Sequence, residues 1–306
     1  MSDIKLFRTN GSDVTQLEGK SVALEKSLQT LIEKHLDVFL GIRFLATEHS
    51  TGKTHSGRID TLGIDENGCP CIIEYKRSSN ENVINQGLFY LDWLLDHKGE
   101  FELLVMKACG QELADNIEWS SPRLLCIAGD FTKYDGHAVQ QINRNIELIR
   151  YLRFDEAFLL LELVNAVHTT NMETTSRSHP EKSKIKGNSQ DVNYQLARAD
   201  QGLLDIFDAV RTTCMGFGDD VHEKTLQNYV AFKRLKNFAT VELRNSLNLV
   251  LMFVNVDPHT VVLEKRFHRD VRKIGHFGTG DLEISLRSLD DVQKALPFLQ
   301  KSYEVS

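Results

Sequence analysis

The chain has 306 residues, of which 41% are hydrophobic and 26% are charged, and its formal net charge is −7. These proportions describe a globular protein long enough for two domains, and the negative charge argues against a strongly basic nucleic-acid binder. The five cysteines form no C-x-x-C pair, so we expect neither a disulfide framework nor a zinc site. Neither a signal peptide nor an apolar run of membrane-spanning length is evident, so we expect a cytoplasmic protein without membrane contact.

The first predicted element is a helix in residues 23–40, ALEKSLQTLIEKHLDVFL. Its apolar residues recur at the spacing of one helical face: Leu24, Leu28, Leu31, Ile32 and Leu36. Glu25 lies at the border of this stripe, where a glutamate is usually solvated. The pattern predicts an amphipathic helix that buries one side.

A β-hairpin is predicted next. The segment from Arg58 to Ile64 is rich in β-forming residues, and Asp65-Glu66-Asn67-Gly68 supplies the turn. The segment from Cys69 to Lys76 reads as the returning strand, and Pro70 is compatible with its start. Only the turn separates the two strands.

A helix from Val83 to His97 follows the hairpin. After this helix, four apolar segments separated by polar or helical connections are predicted to be strands: FELLVMKA, RLLCIAGDF, IELIRYLRF and AFLLLELV. Together with the hairpin, they could complete a mixed sheet. We therefore expect residues 1–166 to form an α/β domain with a mixed sheet flanked by helices.

Residues 167–192 contain Ser, Thr, Lys and Asn but few apolar side chains, so they are predicted to be a flexible linker. Residues 193–306 are predicted to form a smaller α+β domain. Its predicted elements are a helix near Tyr194 to Met215, strands in NYVAFKRLKNFATVELR, NLVLMFVNV and LEISL, and a closing helix, LDDVQKALPFLQKSYE. Cations and aromatics alternate in AFKRLKNFATVELR and EKRFHRDVRKIGHFGTG, as they would on a nucleic-acid surface or in any strand with its aromatics inward.

Three ionisable residues of the hairpin are predicted to converge. Side chains alternate along a strand, so Glu74 and Lys76 share a face, and pairing across the turn places Asp60 near the level of Glu74. Two adjacent carboxylates repel unless a cation lies between them, and Mg²⁺ is commonly held by one or two carboxylates. A nearby lysine can position a water or stabilise charge on a phosphate, which suits phosphodiester hydrolysis.

The alternative is an ordinary solvated strand face, because aspartate, glutamate and lysine are common residues. Against it, Glu74 directly follows the apolar run Cys71-Ile72-Ile73, which is typical of a buried strand. An unpaired charge in a buried strand is costly. The residues alone therefore favour a functional pair without establishing one.

The motifs GRIDTLGID, IIEYKR and QGLFY resemble the PD-(D/E)XK nuclease superfamily, and most closely its branch of NucS/EndoMS-type mismatch endonucleases. The resemblance implies a restriction-endonuclease-like core. It also implies that Asp60 and Glu74 bind the metal together with the carbonyl oxygen of Tyr75, and that Lys76 is the catalytic lysine. Ile59 stands where many members of the superfamily have proline.

The same resemblance assigns residues outside the hairpin. Gln86 and Tyr90 match a Q-x-x-x-Y element on the following helix, although their spacing also fits a core-facing stripe with a tolerated glutamine. The opening helix would supply a fourth acidic group, for which Glu25 is the first choice and Glu33 the second. Residues from about Asp205 to Tyr303 resemble the DUF5655 domain, which brings no catalytic residues with it.

The resemblance implies a metal-dependent DNA endonuclease that uses Mg²⁺ or Mn²⁺, acting in DNA repair or defence against foreign DNA. Cutting both strands of a duplex with one site per chain would call for a two-fold homodimer. The alternative is a non-catalytic module that binds nucleic acid or protein on a nuclease scaffold. Metal-dependent turnover distinguishes the two functions.

Overall fold

The computed structural model describes residues 4–20, 25–52, 56–76, 83–155, 157–167 and 191–306. The chain divides into two compact units, residues 1–173 and 174–306. Most of the predicted linker, residues 167–192, lies outside the described residues, and its flexibility stays a prediction. No helix among the described residues is long and apolar enough to cross a membrane.

The first unit mixes helices and strands. Its described helices are α1 (Glu25–Lys34), α2 (Leu36–Leu40), α3 (Val83–Asp96), α4 (Lys98–Cys109), α5 (Gln111–Asp115) and α6 (Lys133–Gln140). Its described strands are β1 (Leu6–Asn10), β2 (Asp13–Leu17), β3 (Gly19–Lys20), β4 (Ile42–Ser50), β5 (Arg58–Asp65), β6 (Pro70–Lys76), β7 (Arg123–Ala128), β8 (Asn145–Phe154) and β9 (Phe158–Val167).

Strands β3 to β9 form one mixed sheet, whereas β1 and β2 form a separate hairpin. The sheet order is β3-β8-β7-β6-β5-β4, and β9 also pairs with β8. The β6–β7 and β7–β8 pairs are parallel, and the other pairs of this sheet are antiparallel. With helices against this sheet, the predicted α/β class of the first domain is confirmed.

The predicted hairpin is confirmed as β5 and β6, with a ladder that runs from the Thr61–Ile73 pair to the Ile64–Pro70 pair. This register brings Asp60 level with Glu74. The predicted opening helix is interrupted at His35, so α1 and α2 are separate helices.

The prediction that FELLVMKA is a strand was wrong, because this segment belongs to α4. Phe101 and Val105 are the fully buried residues of that helix. They lie four residues apart, which is the spacing of one helical face and not of one strand face. The sheet therefore contains strands from the other three predicted segments, RLLCIAGDF, IELIRYLRF and AFLLLELV, and none from FELLVMKA.

Helices cover both faces of the sheet around the hairpin. On one face, Gln29 and Glu33 of α1 hydrogen-bond to Thr47 and Thr61. On the other face, α3 packs so closely that a Cβ at Gly87 would overlap the Leu124 side chain of β7. Leu124 pairs with Ile72, and Glu74 follows two residues later. By alternation, Glu74 therefore lies on the α3 face of the sheet.

A buried ion-pair network ties the strands together at the turn end of the hairpin. Arg123 donates to both carboxylate oxygens of Glu147 at 2.8 Å and to Asp65 at 2.9 Å, and all three side chains are at most 4% exposed. Asp65 Oδ1 also accepts the backbone N–H groups of Asn67 and Cys69. The network fixes the turn, and hence the register of the hairpin, to the neighbouring strands.

The second unit has its own sheet and core. Its described helices are α7 (Val192–Leu196), α8 (Gln201–Met215) and α9 (Leu289–Glu304), and its described strands are β10 (His222–Thr225), β11 (Val230–Lys233), β12 (Asn237–Arg244), β13 (Leu249–Val254), β14 (His268–Asp270) and β15 (Leu282–Leu286). The six strands form an antiparallel sheet in the order β10-β11-β12-β13-β15-β14. The predicted helix near Tyr194 to Met215 is divided into α7 and α8, and the predicted α+β class is confirmed.

Candidate functional site

The carboxyl groups of Asp60 and Glu74 are held beside each other by backbone hydrogen bonds across β5 and β6. The backbone N–H of Asp60 donates to Glu74 Oε1 at 3.1 Å, and the backbone N–H of Tyr75 donates to Asp60 Oδ2 at 2.9 Å. Each carboxylate thus accepts a backbone donor from the neighbouring strand. The two predicted metal ligands are brought together by the structure.

Glu74 is fully buried, although one of its oxygens has no hydrogen-bond partner among the described residues. Its relative exposure is 0%, and Oε2 accepts no hydrogen bond from the described residues. Burial, and then the neighbouring Asp60 charge, raises the pKa of Glu74 to about 9. A buried carboxyl group in this state gains greatly from a cation.

Lys76 is the last residue of β6 and is partly buried. It lies two residues beyond Glu74, so alternation places both on the same face of the strand. Its positive charge acts to lower the pKa of Glu74, against the larger effects of burial and Asp60. The predicted grouping of Asp60, Glu74 and Lys76 therefore has a geometric basis, whereas the catalytic role of Lys76 stays a prediction.

Tyr75 contributes to the pair through its backbone, because its N–H bonds to Asp60. Its phenol is buried on the opposite side of the strand, and burial raises the pKa of that phenol. The predicted role of its carbonyl oxygen as a metal ligand stays a prediction.

An open cleft of about 570 Å³ lies beside the pair. Its lining residues are Glu48, Ser50, Gly52, Ser56, Gly57, Arg58, Asp60, Gln86 and Tyr90. Asp60 is thus accessible from a space large enough to admit part of a small ligand or one unit of a polymer. Gln86 and Tyr90, the two residues of α3 that were predicted to belong to the site, line the same space.

Gln86 and Tyr90 connect α3 to the start of β5. The Tyr90 hydroxyl accepts hydrogen bonds from Gln86 Nε2 and from the backbone N–H of Arg58, each at 3.1 Å. Gly57 allows this approach, because a Cβ at that position would lie 2.5 Å from the Tyr90 ring. Both residues therefore position the strand that carries Asp60, as well as lining the cleft.

The fourth acidic group is not located by the structure. Glu25 is the first residue of α1, and its side chain lies outside the described part of the molecule. Glu33 accepts hydrogen bonds from the Thr61 hydroxyl at 2.6 Å and from Gln29 at 2.9 Å. Since Thr61 and Asp60 point to opposite faces of β5, these bonds place Glu33 on the far side of the sheet from the carboxylate pair.

Sequence reasoning missed two charged residues of the cleft, Glu48 and Arg58. Glu48 Oε1 accepts from Lys26 Nζ at 2.6 Å, and Oε2 accepts from Arg58 Nη1 at 3.4 Å. The Lys26 ammonium holds the pKa of Glu48 below its usual range. The only sequence signal was a lone glutamate in a β-rich segment, which does not reveal the partner strand.

The donor set fits a hard divalent cation. Asp60 and Glu74 offer carboxylate oxygens, and Mg²⁺ typically takes one or two carboxylates and fills its other positions with water or substrate oxygens. Within the described ranges, no group of three His, Cys, Asp or Glu side chains is close enough to hold an ion by protein ligands alone. The two carboxylates can therefore hold such a cation with part of its coordination left to water or substrate.

In the second unit, the strands within the segment AFKRLKNFATVELR are buried along nearly their whole length. Phe232 and Phe238 are fully buried in the core. Arg234 pairs with Asp220 at 2.7 Å, and Arg269 pairs with Glu283. These two arginines therefore already have acidic partners, and the predicted nucleic-acid surface stays a prediction.

The comparisons with known proteins characterise the second unit best. Residues 192–306 match a domain of unknown function, DUF5655, which confirms the resemblance predicted for this part of the chain. A Haemophilus influenzae protein described as an uncharacterized protein is 26% identical over 304 residues, covering 98% of this chain and 99% of that protein.

A solved structure described as "Structure of EndoMS-dsDNA2 complex" also matches, with 17% identity and a TM-score of 0.24, over 47% of this chain and 49% of that chain. A TM-score of this size does not establish a common fold. The chemistry of the cleft is therefore the basis for assigning a function.

Proposed function

We propose that this chain is a metal-dependent DNA endonuclease that hydrolyses phosphodiester bonds at the cleft beside Asp60 and Glu74. The observation that carries this proposal is the pairing of the two carboxyl groups with a fully buried Glu74 oxygen that accepts no hydrogen bond from the described residues. Burying such a group is costly unless a cation joins it. DNA is proposed as the substrate because the residue pattern from Asp60 to Tyr90 resembles that of DNA nucleases.

Each residue of the pair has a defined task in this proposal. Asp60 and Glu74 hold the cation. The backbone N–H groups that donate hydrogen bonds to their carboxylates keep these in place before the cation binds. When bound, Mg²⁺ or Mn²⁺ would supply positive charge at the phosphate and make a water more acidic. Lys76, on the same strand face, orients the attacking water and stabilises charge on the phosphate.

Gln86 and Tyr90 serve as positioning residues. Their hydrogen bonds fix the first residue of β5, two residues before Asp60, against α3. A fixed strand keeps Asp60 at a constant distance from Glu74 and from the open cleft, where the DNA backbone would enter. Misplacement of reacting groups by about 1 Å can cost two orders of magnitude in rate.

A proton must leave the site when the cation binds. With a pKa of about 9, Glu74 is protonated at neutral pH in the metal-free protein, whereas a ligand carboxyl group must be ionised. Cation binding is therefore expected to release a proton and to strengthen as the pH rises from 7 towards 9. This behaviour links the buried carboxyl group to the working pH of the proposed enzyme.

The test is cleavage of labelled single-stranded, duplex, mismatched and branched DNAs in EDTA, Mg²⁺ or Mn²⁺. The wild-type protein is compared with Asp60→Asn, with Lys76→Ala and with the control Asp155→Asn, a surface ion-pair residue in the turn between β8 and β9. We expect cutting only with a divalent cation, its loss in the first two variants, and no change in the control.

Two results would overturn the proposal. Cleavage that survives in Asp60→Asn would come from another site or from a contaminant. Binding of one of these DNAs without cutting in either cation would favour the non-catalytic binding module instead.

A further inference from the structure

Glu48 lies opposite Asp60 on the neighbouring strand. Thr47 pairs with Thr61 and His49 pairs with Ile59 across β4 and β5, so Glu48 falls at the level of Asp60 between these pairs. Since Asp60 is level with Glu74 on its other side, three acidic residues form a row across β4, β5 and β6.

A further observation places Glu48 at the same site. Glu48 and Asp60 line the same cleft. The row also ends in the fully buried Glu74 oxygen that accepts no hydrogen bond from the described residues, and this unsatisfied atom points to a ligand at that end of the row. Two acidic side chains of the row therefore face the cleft, and the third, Glu74, is buried beside Asp60.

Glu48 also has a strained backbone. Its φ angle is +50°, in the left-handed region that a residue with a Cβ rarely adopts within a strand. Such a conformation tends to occur at functional sites. Here it turns the Glu48 carboxylate between Lys26 and Arg58, whose side chains are 60% and 67% exposed.

We propose that Glu48 becomes the third carboxylate of the cation site when the cation binds, by exchanging its ion pairs with Lys26 and Arg58 for the cation. As the described residues stand, with Glu48 held in those ion pairs, the three acids do not form a metal-binding group. This inference rests on the proposed function, because it assumes the cation held by Asp60 and Glu74. Lys26 and Arg58 keep Glu48 ionised and neutralise it while the site holds no cation. Being exposed, both side chains can then turn to the oxygens of a phosphate in the cleft.

The test measures Mn²⁺ binding to the full-length protein at pH 8 by the loss of the free-ion EPR signal, which does not depend on cleavage. Glu48→Gln removes the charge, and Glu48→Asp keeps the charge but shortens the side chain. Asp155→Asn is a matched control, because Asp155 also has a φ of +50° and pairs with an arginine, Arg8. Asp60→Asn reports on the cation site itself.

We expect Glu48→Gln to weaken Mn²⁺ binding by about 10- to 100-fold, the range found when groups around a metal are removed. Glu48→Asp should lose most of the same affinity, since a ligand needs both charge and reach, and Asp155→Asn should bind like wild type. Retention of affinity by Glu48→Asp would show that Glu48 acts only through its charge, which overturns the ligand assignment.

A double-mutant cycle covers the case in which Glu48→Gln folds poorly. Lys26→Met should tighten Mn²⁺ binding, because Glu48 no longer has to leave an ammonium partner, and this gain should disappear in the presence of Glu48→Asp. An equal gain in both backgrounds would refute the exchange.

The two proposals fail in different ways. If Glu48→Gln binds Mn²⁺ within threefold of wild type while Asp60→Asn does not bind, the inference about Glu48 is wrong and the cation site stands. If the wild-type protein does not bind Mn²⁺, or if Asp60→Asn binds it equally well, the cation site itself is wrong and both proposals fall.

Discussion

Glu74→Gln is expected to stabilise the metal-free first unit, by an amount that grows with pH. Glu74 has a pKa of about 9 in the folded protein, compared with an ordinary value of 4.5. Between these two pH values the folded chain holds a proton that the unfolded chain has released, so the free energy of unfolding falls as the pH rises. An amide has the shape of the protonated carboxyl group and is free of this dependence.

The size of the effect follows from how far the pH lies above 4.5, the ordinary pKa of glutamate. Each pH unit above 4.5 costs the wild-type protein about 1.4 kcal/mol until the pH reaches about 9. At pH 7 the penalty is therefore about 3 kcal/mol, and at pH 5 it is about 1 kcal/mol. Glutamine can still accept the Asp60 N–H through its amide oxygen, so we expect the variant to recover most of this penalty.

The assay is urea unfolding in EDTA at pH 5, 6, 7 and 8, followed by tryptophan fluorescence. Both tryptophans, Trp93 and Trp119, belong to the first unit, so the signal reports on that unit without the second. Glu102→Gln, at an exposed position of α4, controls for the removal of a glutamate charge. A stability gain that stays constant from pH 5 to pH 8, or a loss at pH 8, would refute the reasoning.

Replacing Arg123 by leucine should lower the free energy of unfolding of the first unit by about 3–5 kcal/mol, because Asp65 and Glu147 stay buried without their cationic partner. A loss below 1 kcal/mol in urea unfolding would contradict this. Tyr90→Phe should cost about 1 kcal/mol in the same experiment, since Gln86 and the Arg58 N–H lose their acceptor, and an unchanged midpoint would mean that water replaces it. Gly87→Ala should lower the melting temperature, although alanine is the better helix former, because the new Cβ would overlap the Leu124 side chain of the sheet. A higher melting temperature would show that the helix can shift.

The hairpin was predictable because its signals are local. Alternation, the Asn67-Gly68 turn and the short connection fix which residues face each other, so Asp60 and Glu74 could be paired from the sequence alone. The closing helix of the second unit was likewise predicted over Leu289–Glu304, because the segment is continuous in the sequence.

The residue that lies beside Asp60 on strand β4, Glu48, could not be predicted. Strand β4 joins β5 through a longer connection, and its ladder is irregular between Phe44 and Ala46. A shift of one residue moves a side chain to the opposite face of the sheet, so Glu48 could not be assigned to the cleft. The bonds of Glu33 to Thr61 and Gln29 depend likewise on how α1 packs on the sheet.

The hydrogen bonds at Asp60 and Glu74 also bear on which sequences can fold. The backbone ladder of the hairpin ends at the Thr61–Ile73 pair, and beyond that pair the two carboxyl groups take the place of carbonyl acceptors for the neighbouring strand. Truncating either side chain therefore loosens a strand pairing as well as removing an acid. Selection for a stable fold alone would keep a hydrogen-bond acceptor at both positions, a role that an amide oxygen also fills, so amide variants are the ones that separate chemistry from folding.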